Sequence, residues 1–319
     1  MISYFIYTLT VLKSKYIRDG YLAKNGFKKT AIRFPRYGGK KLYAVDKAHE
    51  YMYERIVEGK PFMAGRFGSI EIVVPAKNLL RIKYGLNENI KVFCNNAGFF
   101  PNDSNLIGRY TSLMLDSMKE CDVQGMWYLV FEDYFMKKYL RKDTIALEAR
   151  YLEPWFAPKP WTRALKNKKV LVIHPFTESI EYQYNNNREK IFPHEDYLPE
   201  FELYTLKAVQ TIAGEKDDRF ETWFDALNYM TEKSLEIDFD VALIGCGAYG
   251  YPLAANLKNA GKQAIHLGGV LQTMFGIKGN RWETDADSTV RDLYNEYWIR
   301  PNETELPKNR KSIENGCYW

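Results

Sequence analysis

The stretch that most constrains this chain runs from Asp240 to Gly269. Val241-Ala-Leu-Ile244 is an unbroken apolar run, the pattern of a strand buried on both faces of a parallel sheet. Gly245-Cys-Gly-Ala-Tyr-Gly250 follows, a G-x-G-x-x-G turn, then a helical pattern that stops near Gly261, then a second apolar run from Gln263 to Leu267. Strand, glycine turn, helix and strand form a β-α-β unit, which sets the two strands parallel. Gly245, Gly247 and Gly250 are open to two readings. They let the backbone approach an anionic ligand at a helix N-terminus, or they only permit close helix–strand packing. A nicotinamide dinucleotide is expected to meet an acid about 20 residues further on. That position falls at His266-Leu-Gly-Gly269, which carries no carboxylate, and no NAD is expected.

The rest of the second half repeats the alternation. Lys169 to Pro175 reads as a strand, Glu178 to Ile191 as a helix, Phe201 to Val209 as a strand and Phe220 to Leu235 as a helix, with a last helix near Leu271 to Phe275. Earlier, Asp46 to Gly59 has helical spacing and a glycine stop. Pro61 to Ile72 reads as strand, glycine turn and helix start, Val92 to Gly108 as a loop, Ser104 to Glu120 as a helix and Met126 to Phe131 as a short strand. Strands alternating with helices predict an α/β, Rossmann-like fold, a mostly parallel sheet with helices on both faces. Pro154 to Pro160, rich in proline and aromatics, reads as the join between halves. The expected division is 1–59 (helical and irregular), 60–160 (first α/β half), 161–300 (Rossmann-like half) and 301–319, a polar tail expected to be loosely ordered until Cys317-Tyr-Trp.

Net charge of +5 suits an anionic small ligand or an acidic membrane surface and is too slight for a nucleic-acid partner. The four cysteines show no C-x-x-C pair, and the four histidines no metal-ligand spacing, so free thiols in a reducing compartment are expected and a zinc site is not. Met1 to Leu12 is mostly apolar and is followed by Lys13, Lys15 and Arg18. It is too short to span a bilayer, and reads as a packed helix or as an amphipathic helix lying on a membrane.

Three further places carry candidate chemistry. In Arg66-Phe-Gly-Ser-Ile-Glu71, the arginine suits a phosphate and the carboxylate a metal. The alternative is a helix start with Ser69 as cap and Glu71 complementing the dipole. His174 and His266 each close a strand at the carboxyl edge, where open α/β sheets bind ligands. Gln272 to Trp282 crowds Gly276, Lys278, Gly279, Arg281 and Trp282 together, either a basic loop closing over phosphates or a helix end with solvated charges. No G-x-S-x-G elbow and no Walker A lysine is present.

Arg66-Phe-Gly-Ser-Ile-Glu71 resembles the Arg-Tyr-Gly-Asp-Gly-Glu segment of the GT-D-fold glycosyltransferases, a bacterial family formerly classed as a domain of unknown function. Asp240 to Gly250 and Ala264 to Gly269 are similar to that family's strand, glycine turn and following strand. The resemblance implies transfer of a sugar from a nucleotide diphosphate donor, usually a uridine one, to a glycan, glycopeptide or lipid-linked acceptor in surface polysaccharide or glycoprotein assembly. A cytoplasmic place is expected from the free thiols, and peripheral membrane contact would follow from the basic charge and an N-terminal surface helix. The resemblance also implies a divalent metal, Mn²⁺ or Mg²⁺, on an Asp-x-Glu pair. Glu71 matches the second acid, and Ser69, a weaker neutral ligand, stands in place of the first. Under this reading Glu71 and His174 are the catalytic candidates. Arg66, Gly68, Ser69, Gly245, Gly247, Gly250, His266, Gly268, Gly269, Lys278 and Arg281 contact the donor. A non-catalytic nucleotide-sugar-binding or scaffold protein, and a Rossmann oxidoreductase, are the competing readings.

Overall fold

In the computed structural model, residues 5, 8–13, 16, 36–284, 289–313 and 316–319 are described. The stretch expected to form an N-terminal helix, Met1 to Leu12, falls half outside them. Among the described residues no helix is long and apolar enough to cross a membrane.

Seven strands form one parallel sheet: β1 (Phe62–Arg66), β2 (Val123–Met126), β3 (Ile145–Glu148), β4 (Lys169–His174), β5 (Glu202–Lys207), β6 (Val241–Ile244) and β7 (Gln263–His266). Their order across the sheet is β3-β2-β1-β7-β6-β4-β5. Strands from 60–160 and from 161–300 therefore meet in the middle, where Phe62, Met63 and Ala64 pair with Gln263, Ala264 and Ile265. Every residue of β1, β2, β6 and β7 is buried, as expected of strands covered on both faces, although only β6 is apolar throughout. β5 lies at the edge, and its Glu202 and Lys207 face water.

Helices cover both faces. One face packs on α2 (Ser69–Leu79), α3 (Leu86–Ala97), α4 (Ile107–Glu120), α7 (Trp223–Leu235) and α8 (Gly250–Asn259) through Val74, Phe93, Tyr110, Trp223 and Tyr251. The other packs on α1 (Val45–Glu58) and α6 (Thr177–Ile191) through Met52, Ile56 and Ile180, with α5 (Glu132–Tyr139) on the first face through Phe135 and Met136. The chain leaves β1 onto the first face through α2, and leaves β7 onto the opposite face through the 3-10 segment Gly268–Phe275. Adjacent strands whose exits diverge in this way open a crevice at their carboxyl ends.

Most expected elements form within a few residues, and four expectations are corrected. The segment read as a loop from Val92 is helical to Ala97, because Ile90, Phe93 and Ala97 share a buried face. The strand expected at Met126 to Phe131 lies earlier, at Val123–Met126, and the following residues turn with Tyr128 and Phe131 left-handed. The helix expected at Leu271 to Phe275 belongs to a 3-10 segment starting at Gly268. The tail is ordered against the body: Glu305, Ile313, Cys317 and Trp319 are buried.

Candidate functional site

The crevice between β1 and β7 holds a cleft of about 600 Å³, a volume usual for small-molecule sites. One wall is the motif itself. Arg66 ends β1; Gly68 is the N-cap of α2; Ser69 is the first helical residue, so it does not cap as expected. Glu71 folds back, and its Oε2 accepts from the Gly68 N–H at 2.9 Å. A Cβ at Gly68 would stand 2.9 Å from the Glu71 Oε1, so glycine makes room for the carboxylate. Burial pushes the Glu71 carboxyl up to about 7, against the opposing pull of the Gly68 N–H.

Arg66 is nearly buried. Its Nη1 donates to the Ala149 carbonyl at 3.0 Å and pairs with Glu153 Oε1 at 3.2 Å, and its guanidinium lies 5.1 Å from the centre of the Trp127 ring. Burial raises the Glu153 carboxyl, and Arg66 pulls it back. The loop carrying Trp127 is pinned by Glu132, whose carboxylate accepts from the Trp127 and Leu129 N–H groups at 3.0–3.1 Å.

The opposite wall is His266, Leu267, Gly268 and Gly269, with Arg281, Trp282 and Tyr318 above. His266 Nδ1 lies 3.3 Å from the Ile244 carbonyl oxygen, and burial first, then Arg66, pushes its pKa down to about 3, so the ring is neutral. Arg281 Nη1 donates to the Tyr318 hydroxyl at 3.2 Å. A Cβ on Gly269 would stand 2.2 Å from the Tyr318 ring, so that glycine exists for the ring packed on it.

The cleft thus collects Arg66, Gly68, Ser69, Glu71, Gly247, His266, Gly268, Gly269 and Arg281 from the expected set. Four expected residues stand elsewhere. Gly250 packs against His266, and a Cβ there would lie 2.1 Å from the imidazole. Gly245 lines a neighbouring cavity, where a Cβ would meet His174 at 2.7 Å. The glycine turn is therefore mainly a packing device, with Gly247 alone of the three on the cleft. His174 lines that same neighbouring cavity; Nδ1 accepts from the Phe176 N–H at 3.0 Å, and burial pushes its pKa down to about 3. Lys278 lies outside the cleft with its ammonium 5.5 Å from the Tyr294 ring centre.

Arg150, Glu153, Trp127 and Tyr318 line the cleft without having been singled out. The one sequence signal was the apolar Cys317-Tyr-Trp ending a polar tail. Among the described residues no three His, Cys, Asp or Glu side chains cluster as metal ligands. Of the described residues, the cleft's two carboxylates are both engaged, Glu71 by the Gly68 amide and Glu153 by Arg66, so a divalent cation there would draw most of its ligands from water and a substrate's phosphates.

No family model matches the chain, and no curated protein matches it. Among solved structures it is similar to one described as the selenomethionine-substituted form of domain of unknown function 1792. That likeness has 12% identity over 83% of this chain and 97% of that one, with a TM-score of 0.36.

Proposed function

We propose that the chain is a glycosyltransferase that moves a sugar from a nucleotide diphosphate donor to a hydroxyl acceptor, without a resident metal. The observation that carries this reading is the convergence in one cleft of three arginines (Arg66, Arg150 and Arg281) with a carboxyl held near neutrality, Glu71. The guanidiniums suit a diphosphate, whose oxygens they meet in a forked geometry.

In this mechanism Glu71 accepts the proton of the acceptor hydroxyl; a base whose pKa lies near the working pH suits that task. The acceptor oxygen bonds to the anomeric carbon, the bond from that carbon to the diphosphate breaks, and the electron pair leaves on the diphosphate. Arg66, fixed by Glu153 and the Ala149 carbonyl, and Arg281 offset the charge that develops there. His174, on the far cavity, takes no part in this proton transfer. A uridine donor and a lipid-linked or glycan acceptor remain part of the proposal, from the resemblance of the Arg66–Glu71 motif.

The second reading, a nucleotide-sugar-binding protein without turnover, is favoured by Ser69 where a carboxylate would complete a metal pair.

The test is thermal stability with UDP, GDP and CMP, followed by release of UDP from UDP-sugars. A nucleotide at about a hundred times its dissociation constant adds roughly 2.7 kcal/mol. Stabilisation by UDP that falls about tenfold in affinity in Arg281→Ala supports the donor site. Binding without turnover moves the chain to the second reading, and stabilisation by none of the nucleotides overturns both.

A further inference from the structure

The tail reaches the cleft through Tyr318, and the fold holds that residue at several points. Its ring rests on Gly269, where a Cβ would stand 2.2 Å from the nearest ring carbon, and lies 6.2 Å, centre to centre, from the Trp282 ring. Its carbonyl oxygen accepts from the Gln272 amide at 2.8 Å, and a Cβ on Gly279 would stand 3.0 Å from its carbonyl carbon. Just before it, the Cys317 carbonyl accepts from the Arg281 N–H at 2.9 Å, and the Gly316 carbonyl accepts from the Asn280 side chain at 3.1 Å.

The side chain held in this way carries Arg281. Arg281 Nη1 donates to the Tyr318 hydroxyl at 3.2 Å, and the guanidinium carbon lies 4.8 Å from the centre of the Tyr318 ring. The packing on Gly269 and Trp282 needs only the ring; the hydroxyl is what meets the guanidinium. Arg281 gains from such a support, because it sits second in a helix of only five residues, Asn280–Thr284. An arginine has many rotamers, and a ligand that must select one of them binds more weakly than a ligand that finds it already selected. The guanidinium also stands within electrostatic reach of Arg66 on the opposite wall. Burial first of all lowers the Arg66 pKa, and the Arg281 charge lowers it further. The arginine that Tyr318 supports is thus one of the pair whose mutual repulsion an anion in the cleft relieves.

We infer that Tyr318 is a positioning residue of the donor site, which holds the Arg281 guanidinium where it meets the diphosphate. The inference rests on the nucleotide-sugar reading of the cleft and adds to it a residue that acts through Arg281. It also makes the tail a working part of the site, since Gly316, Cys317 and Tyr318 fix the backbone and the side chain of the same short helix. The competing role is anchorage alone, in which Arg281 serves to hold the tail. Anchorage predicts a change in stability and none in affinity for a nucleotide diphosphate, whereas positioning predicts a loss of affinity that exists only while Arg281 is present.

The experiment is a double-mutant cycle between positions 318 and 281, read by calorimetric titration with UDP. Folding of every variant is checked by circular dichroism and melting. Tyr318→Phe keeps the ring on Gly269 and is expected to weaken UDP binding about three- to tenfold, the equivalent of one hydrogen bond. Tyr318→Leu removes the ring as well and is expected to weaken binding at least as much. In an Arg281→Ala chain, neither change is expected to cost more than about twofold, because the group that Tyr318 places is gone. UDP binding within about twofold of the wild type in both single variants overturns this inference and leaves the donor-site reading standing. A loss of the same size with and without Arg281 also overturns it, since Tyr318 then acts independently of that arginine. Failure of the wild-type chain to bind UDP overturns both readings.

Discussion

The Glu305 carboxylate accepts from the backbone N–H groups of Glu178 (2.8 Å) and Ser179 (3.3 Å) and from the Ser179 hydroxyl. The helix Thr177–Ile191 has no side-chain cap of its own, so the tail supplies the anion that its exposed amides and dipole require.

Glu305→Ala is therefore expected to lower stability by about 1–2 kcal/mol, the range for losing an N-cap. Glu305→Gln keeps an oxygen acceptor and should lose less. Urea denaturation of the three proteins, with unchanged slope, checks this. A loss below about 0.3 kcal/mol in Glu305→Ala would mean that the contact carries no stability.

Glu71 predicts opposite effects on stability and activity. Its folded pKa, about 7, lies above the ordinary 4.5. Between those values the folded chain keeps a proton that the unfolded chain has released. The stability this contributes is full below about 4.5 and is lost as the pH rises through about 7. Glu71→Gln should match the wild type near pH 4 and melt higher at pH 8. Sugar transfer should rise as the wild-type carboxyl ionises around pH 7, and fall 10²–10⁴-fold in the variant. Buried Glu132 is also raised to about 7 and shares the stability sign, so the wild-type-minus-variant difference isolates Glu71.

Gly250→Ala should be destabilising by about 1–3 kcal/mol, since the added methyl meets the His266 ring at 2.1 Å. The double change Gly250→Ala with His266→Ala should lose less than the two single losses added together. Strict additivity in chemical denaturation would remove the packing account of this glycine.

Glu153→Ala should cost about 3–5 kcal/mol, because it leaves the Arg66 guanidinium buried beside no counter-charge. Replacing both, Arg66→Met with Glu153→Leu, should cost less than that single change while abolishing UDP binding. Denaturation midpoints and calorimetric titration together read the two effects.

Much of this architecture was legible because its signals are local. Val241 to Ile244, Gln263 to His266 and the glycine stop at Gly59 each declare their element within a few residues. Arg66 and Glu71 could be placed at a strand–helix junction, and the sheet's carboxyl edge told where to look. Other features depend on distant partners. Val123-Gln-Gly-Met126 does not read as a strand, yet Gly125 is there because a Cβ would meet Leu152 at 2.7 Å. Asn95, Asn96 and Gly98 signalled a loop, but Phe93 stacks on Phe99 and packs at a tilt against Tyr110, and that packing outweighs the turn propensity. Arg150, Glu153 and Tyr318 join the cleft only through tertiary folding. The glycine turn was the instructive case, because two of its three glycines serve histidine rings on neighbouring strands.

Tyr318 resting on Gly269, opposite Arg66, has a kinetic meaning. The walls of the cleft come from positions 66 and 318, so they meet only after a very long stretch of chain has been closed. Sheet pairing between neighbouring β-α-β units needs far less closure and runs ahead of it. Recovery of ligand binding on refolding is therefore expected to trail recovery of helical signal, as the central pairing of Phe62 with Gln263, nearly as distant in the chain, must also be in place before the cleft is whole.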